Sequence, residues 1–151
     1  MLIDLHVHSH LTKGCDLDPR AVLERAASLG LEGVAFTETN TQDGCDELFD
    51  LQPKTPLRIF VGLEELSFPM LAIGAAGMMN AVGNLAPGRV AALYEACARG
   101  DLAEARRLHF ELFDLNRAIF FDTNPIPLKY MMKRIGLLAE NTHRLPMVAA
   151  R

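Results

Sequence analysis

The sequence alternates between short apolar segments typical of buried strands and longer segments with helical periodicity. Strand-like segments occur at 2–8, 33–36, 57–63 and 77–82. A regular alternation of strand and helix favours a parallel sheet with right-handed crossover connections. Four such units are half of a closed (βα) barrel, and 151 residues are fewer than the roughly 250 that a closed eight-stranded barrel typically needs.

Helix start and stop signals lie between these segments. Asp18 is a good N-cap residue, Pro19 suits the first position of a helix, and Gly30 suits the position after its end. Asp101 predicts the start of the most regular helix, in which apolar residues recur at the helical spacing as far as Ile119. Further helices are predicted over 43–51, 68–75 and 87–99, with a last one ending near 134.

Together these elements predict a single α/β domain over residues 1–151 with one hydrophobic core. Residues 1–56 supply a βαβα unit, residues 57–99 supply a second, and residues 100–151 form a helical extension. We expect the strand order 1-2-3-4, which makes the domain half of a TIM-like barrel. The alternative is a flattened, flavodoxin-like open sheet with helices on both faces.

Polar side chains lie where each predicted strand ends. His6 and His8 share one face of the first strand because they are two residues apart. The later strand ends offer Thr37, Glu38, Thr39 and Asn40, then Glu64 and Glu65, then Asn80 and Asn84. Parallel (βα) folds bind ligands at the carboxyl ends of their strands. Imidazoles and carboxylates that meet there suit zinc, manganese or iron.

The first part of the chain resembles the polymerase and histidinol phosphatase (PHP) superfamily. The resemblance covers residues 1–65 and rests on LIDLHVHSH, DPRAVLERAASLGLEGVAFTETNT and RIFVGLE. It implies a (βα) barrel that holds several metal ions for phosphoester hydrolysis, with His6, His8 and Glu64 among the ligands. The family's Asp-His pair is Glu38-Thr39 here, and the later ligands have no counterpart. At most one divalent ion, zinc, manganese or iron, is therefore implied.

The rest of the chain resembles a different family, the dihydrodipicolinate synthase/N-acetylneuraminate lyase family. This resemblance covers the C-terminal part of that family and residues 57–151 here, through FVGLEELSFPMLAIGAAGMMNAVGNLAP, GDLAEARRLHFELF and NPIPLKYMMKRIG. It implies the last βα units of an aldolase barrel and its C-terminal helices. The family's Schiff-base lysine and its tyrosine partner come from central strands, which this chain is expected to lack. Lys129 matches a structural helix.

The two resemblances together predict a chimera joined within RIFVGLE, engineered or recombined, with no complete catalytic site. The chain is then a scaffold rather than an evolved enzyme. One alternative is a metal-binding protein with weak phosphoesterase activity, with His6, His8, Glu64 and Glu38 as metal ligands. A second alternative is an aldolase-like lyase, which the lack of a desolvated, nucleophilic lysine disfavours.

Charge and cysteine content restrict the partners and the compartment. The net charge of −4 gives no sign of nucleic-acid binding. No apolar run is long enough to cross a membrane, and the first residues lack the pattern of a signal peptide. Three widely spaced cysteines without a CxxC motif fit free thiols in a reducing, cytoplasmic setting. We expect a homodimer formed through the open edges of the sheet.

Overall fold

A computed structural model describes residues 2–38, 47, 50–51 and 54–150. The strands of the sheet are β1 (Ile3–Val7), β2 (Gly33–Phe36), β3 (Arg58–Val61) and β4 (Gly77–Met78). The helices in the described residues are α1 (Pro19–Ser28), α2 (Ser67–Ala72), α3 (Pro87–Ala98), α4 (Leu102–Ala118) and α5 (Ile126–Arg134). Two short 3-10 turns, Glu64–Leu66 and Ala81–Asn84, follow β3 and β4.

The four strands form one parallel sheet in the order β1-β2-β3-β4. The pairing of β2 with β3 is regular from Gly33 with Arg58 to Phe36 with Val61, and β4 pairs only through Gly77 and Met78. The predicted order and the parallel α/β class are confirmed. The sequential order differs from the 2-1-3-4-5 order of a flavodoxin-like sheet, so the structure does not support that alternative.

Local sequence explains why the first βα units form. All four residues of β2, GVAF, are buried, as expected for a strand covered on both faces. The Asp18 side chain accepts a hydrogen bond from the backbone N of Arg20, 2.9 Å away, and Pro19 begins α1. Gly30 ends the unit with φ of 75°, a left-handed conformation that costs glycine little.

The buried apolar residues form two clusters rather than the one core that the sequence predicted. The first lies where α1 packs on β2 and β3, and contains Leu23, Ala26, Val34, Phe36, Leu51, Leu57 and Ile59. The second lies among α3, α4 and α5, and contains Val82, Leu93, Ala96, Ala105, Leu108, Leu112, Ile119 and Leu128. A polar contact joins the two regions, because Asn116 Nδ2 donates to the carbonyl oxygen of Glu64 over 3.3 Å.

Several sequence predictions change in detail. The strand predicted over 77–82 is only two residues long, because the chain turns into the 3-10 segment Ala81–Asn84. The helix predicted over 43–51 lies largely outside the described residues, as does Cys45. Cys15 and Cys97 are free thiols. In the part of the chain that the structure describes, no helix has the length and hydropathy to span a lipid bilayer.

Gly62 is a position where packing tolerates no side chain. A Cβ there would lie 2.6 Å from Thr37 Cγ2 and 2.9 Å from the Phe36 carbonyl oxygen. We therefore expect Gly62→Ala to lower the free energy of unfolding by about 1–3 kcal/mol, the usual cost of overpacking. Denaturant unfolding followed by circular dichroism measures the change. Gly83→Ala is the control, since a Cβ at Gly83 meets nothing within 4 Å, and equal costs for both variants would contradict the expectation.

Candidate functional site

A broad cleft opens at the carboxyl ends of the four strands. Its volume is about 1380 Å³. The strands and their following segments contribute His6, His8, Thr37, Glu38, Glu64, Glu65 and Asn80, and the end of α4 with the segment after it contributes Arg117, Phe120 and Asp122 to Asn124. The sequence prediction that polar strand ends share one rim is therefore confirmed for these residues. Thr39 and Asn40 lie outside the described residues.

His6 and His8 are in direct contact in the cleft. Their Nε2 atoms are 3.1 Å apart, and their rings meet edge to face, with centroids 4.9 Å apart and planes at 82°. The other ring nitrogen of His8, Nδ1, lies 3.1 Å from the Thr12 hydroxyl oxygen. His6 is exposed and His8 is half-buried, so the pair forms one wall of the cleft.

The Glu38 carboxylate is engaged by the loop that follows β1. Oε1 accepts from the Ser9 backbone N over 2.9 Å and from the Ser9 hydroxyl over 2.7 Å. Oε2 accepts from the Thr12 hydroxyl over 2.5 Å. Ser9 is fully buried. Glu38 thus fixes the loop against the end of β2, and Thr12 links Glu38 to His8.

Glu64 is the buried acid of the site, with 2% of its surface exposed. Its Oε1 accepts from the Ala81 backbone N over 2.5 Å. Its Oε2 is buried with no hydrogen-bond partner in the described part of the chain. Burial raises the pKa of the Glu64 carboxyl, and the hydrogen bond from Ala81 only partly opposes this shift. Glu64 therefore fastens the turn after β4 to the end of β3.

The four side chains predicted as ligands of one metal ion line the same cleft but do not meet at one point. His6 and His8 touch each other, whereas Glu38 and Glu64 are held by separate backbone segments. Within residues 2–38, 47, 50–51 and 54–150, no group of three or more His, Cys, Asp or Glu side chains is placed to hold a metal ion. The four-ligand site and the identity of its ion stay a prediction.

Sequence reasoning missed two contributors to the site. Thr12 connects His8 to Glu38, and it lies in a loop without a recognisable motif. Arg117 lies at the end of α4 and is exposed in the cleft wall. The position of Arg117 depends on how α4 packs beside the sheet, so a local pattern could not have found it.

The lysines of the described residues lie away from the cleft lining. Lys13, Lys54 and Lys133 are exposed, and the Lys129 ammonium group donates to the carbonyl oxygen of Thr142. None of these four is among the side chains that line the cleft. A Schiff base needs a lysine amine within reach of the bound carbonyl, and the described cleft residues supply none.

These features define part of a (βα) barrel with its ligand cleft at the carboxyl ends of parallel strands. The model of the Dihydrodipicolinate synthetase family matches residues 9–151. The chain therefore belongs to the dihydrodipicolinate synthetase family. The match runs through both halves of the sheet without a change of family.

Individual relatives agree with the family match. The 4-hydroxy-tetrahydrodipicolinate synthase of Methanopyrus kandleri is 36% identical over 141 residues, which are 91% of this chain and 45% of that protein. The enzyme of the same name from Thermus thermophilus is 48% identical over 89 residues, 59% of this chain and 29% of that protein. The chain thus spans less than half the length of these curated relatives.

Solved structures show the same fold. The 4-hydroxy-tetrahydrodipicolinate synthase of Methylacidiphilum fumariolicum superposes with a TM-score of 0.85 at 28% identity, over 100% of this chain and 49% of that one. The dihydrodipicolinate synthase of Thermotoga maritima gives 0.84 at 28% identity, over 98% and 51%. The chain therefore covers about half of each structure.

Three predictions from the sequence are wrong. The predicted chimera is wrong because one family model and one relative, from Methanopyrus kandleri, continue across the expected join at RIFVGLE. The predicted metal-dependent phosphoesterase and the predicted scaffold without an evolved function are wrong because the relatives are 4-hydroxy-tetrahydrodipicolinate synthases. A histidine pair on a first strand is too short a motif to identify a family. The aldolase-like alternative fits the family better.

Glu64 gives a testable dependence of stability on pH. Because its folded pKa is raised above the ordinary value of 4.5, its contribution to stability is complete below about pH 4.5 and is lost as pH rises through the folded pKa. Glu64→Gln keeps a side-chain oxygen that can accept from the Ala81 backbone N and removes the carboxylate charge. We expect the variant to gain stability relative to the wild type as pH rises from about 4.5 toward neutrality.

Thermal and urea unfolding across this range measure the difference. The control is Glu24→Gln, since Glu24 is exposed on α1. If the unfolding free energies of the wild type and Glu64→Gln change in parallel with pH over the whole range, burial of the Glu64 carboxyl does not destabilise the protein.

Proposed function

We propose that this chain supplies one half of a lyase of the dihydrodipicolinate synthetase family, which binds a small 2-oxo carboxylate in the cleft. The observation that carries the proposal is the match of the chain, at 36% identity over 141 residues, to a 4-hydroxy-tetrahydrodipicolinate synthase. The cleft lies at the carboxyl ends of the strands, where (βα) barrels bind their ligands. The activity of the whole relatives comes to this chain as part of the proposal.

The chemistry of the cleft supports a carboxylate ligand. The product in the relatives' name, a tetrahydrodipicolinate, carries two carboxylate groups. Arg117 is the cation among the described side chains that line the cleft, and its planar guanidinium can hold a carboxylate by two parallel hydrogen bonds. Glu38 is engaged by Ser9 and Thr12, and burial raises the pKa of Glu64. Both features reduce the repulsion that an incoming anion meets.

The placement of the lysines restricts the mechanism that this chain can carry by itself. A class I aldolase joins a lysine amine to the carbonyl carbon of its substrate. The described cleft residues include no lysine. We therefore propose that the chain binds the 2-oxo acid through charge and hydrogen bonds, without an imine.

Pyruvate is the simplest probe, since it joins a carboxylate to a ketone. We expect saturable binding of pyruvate by isothermal titration or by chemical-shift changes at cleft residues. Arg117→Ala should weaken binding about 10-fold or more, because a hydrogen bond to a charged group is worth about 1.5–3 kcal/mol. Arg106→Ala is the matched control, since Arg106 is exposed on the same helix and does not line the cleft.

Two outcomes would overturn this function. Equal pyruvate affinities for the wild type and Arg117→Ala would show that Arg117 does not bind the carboxylate of pyruvate. Borohydride added to the pyruvate complex should leave the mass of the chain unchanged, and a stable adduct would show that a lysine forms an imine after all.

We also propose that two chains associate through the open edges of their sheets. The support is that β1 and β4 are the outer strands, and that the chain covers about half of solved structures of this family. Leu2, just before β1, is 64% exposed, and Leu5, within β1, is 54% exposed. Open strand edges favour pairing, and a two-fold dimer of half-barrels brings eight strands together.

Light scattering on the purified chain tests the assembly. We expect twice the 16.6 kDa mass of one chain at micromolar concentration. The Leu5→Lys variant places a charge on the exposed face of β1 and should shift the monomer–dimer equilibrium toward the monomer. A wild-type mass equal to one chain would contradict the proposal.

A further inference from the structure

The side of α4 that lines the cleft carries a cation between two aromatic residues. Phe113, Arg117 and Phe120 all line the cleft, and residues separated by four and then three positions lie on one face of a helix. Phe120 follows the end of α4, but its backbone N still donates to the carbonyl oxygen of Arg117 over 3.0 Å, so the helical turn continues to it. One helical turn rises about 5.4 Å. Each aromatic residue therefore lies about one turn along the helix from Arg117.

The two aromatic residues differ in how far the protein already covers them. Phe113 is half-buried, and its ring meets the ring of His109 edge to face, with centroids 5.7 Å apart. Phe120 leaves 45% of its surface exposed in the cleft wall. Leu63 and Met79, which follow β3 and β4, line the same cleft. The cleft therefore offers apolar surface from both the strand ends and α4, and a ligand that covers the Phe120 ring removes apolar area from water.

The charges of the cleft favour a ligand with a single carboxylate. Among the described side chains that line the cleft, Arg117 is the only one with a permanent positive charge, and the acids Glu65 and Asp122 line it as well. A second carboxylate on the ligand would be repelled by these acids and would find no second cation among the described residues. A neutral, apolar group avoids this repulsion and can pack against Phe113 or Phe120 instead.

We infer that the cleft selects a 2-oxo acid whose third carbon carries an aromatic ring. The carboxylate binds the Arg117 guanidinium, and the ring packs against Phe120 in the offset or edge-to-face arrangement that aromatic pairs prefer, with centroids about 4.5–7 Å apart. Phe120 is then a specificity-determining residue. The inference rests on the proposed function, because it takes the carboxylate site at Arg117 from it, and it adds the chemical nature of the rest of the ligand.

The test is isothermal titration of the full chain with pyruvate, phenylpyruvate and 2-oxoglutarate. These probes share the 2-oxo acid end and differ at the third carbon, which carries only hydrogen in pyruvate, a phenyl ring in phenylpyruvate and a second carboxylate arm in 2-oxoglutarate. We expect phenylpyruvate to bind about 10- to 100-fold more tightly than pyruvate, the usual effect of burying one aromatic ring. 2-Oxoglutarate should bind no more tightly than pyruvate.

A matched pair of variants locates the ring. Phe120→Ala should reduce the preference for phenylpyruvate over pyruvate about 5-fold or more, since it removes the aromatic contact. Phe121→Ala is the control, because Phe121 is the next residue, is 78% exposed and is not among the side chains that line the cleft. It should leave the preference unchanged. Both affinities come from the same protein, so a partly unfolded variant lowers them by the same factor and the ratio is unaffected.

The outcomes separate this inference from the proposed function. If pyruvate binds through Arg117 but phenylpyruvate binds no more tightly, the inference is overturned and the proposed function stands. The inference is also overturned if 2-oxoglutarate gains as much affinity as phenylpyruvate, or if Phe121→Ala reduces the preference as much as Phe120→Ala does. If neither pyruvate nor phenylpyruvate binds, both the proposed function and the inference are wrong.

Discussion

The pairing of β2 with a neighbour on each side is the constraint on which the site depends. All four residues of β2 are buried, and its register with β3 is unbroken from Gly33 to Phe36. A slip of one residue would exchange the two faces of the strand. The pairing of β1 with β2 contains one irregularity, between Asp4 and Val7. Because all strands are parallel, the residues that follow β1, β2 and β3 nevertheless arrive at the same edge of the sheet, where the cleft opens.

Glu64 connects this sheet to the helical half of the chain. Its carboxyl accepts from the backbone of Ala81, and its carbonyl oxygen accepts from Asn116 on α4. The apolar residues on the two sides belong to separate clusters. A buried acid with a raised pKa is a costly way to join two parts of a protein. Here it also lines the cleft, so the contact that joins the halves belongs to the site as well.

Much of the fold could be predicted from the sequence, because the signals are local. The GVAF segment, the cap at Asp18 and the helical period after Asp101 each act over a few residues. Strand β4 was predicted too long because Ala81 bonds to a side chain 17 positions earlier. Polar strand ends placed His6, His8 and Glu38 at one rim, but Thr12 and Arg117 reach it through a loop and a packed helix. The HxH motif suggested the wrong superfamily because so short a motif carries little information about a whole fold.

The central claim is that one continuous family fold forms a carboxylate-binding cleft at the carboxyl edge of its sheet. A crystal structure of the chain grown with pyruvate tests this most directly. The account predicts strand order β1-β2-β3-β4 and density for pyruvate in the cleft, with its carboxylate against the Arg117 guanidinium and no bond to a lysine. Pyruvate bound elsewhere, or a sheet interrupted between β2 and β3, would contradict it.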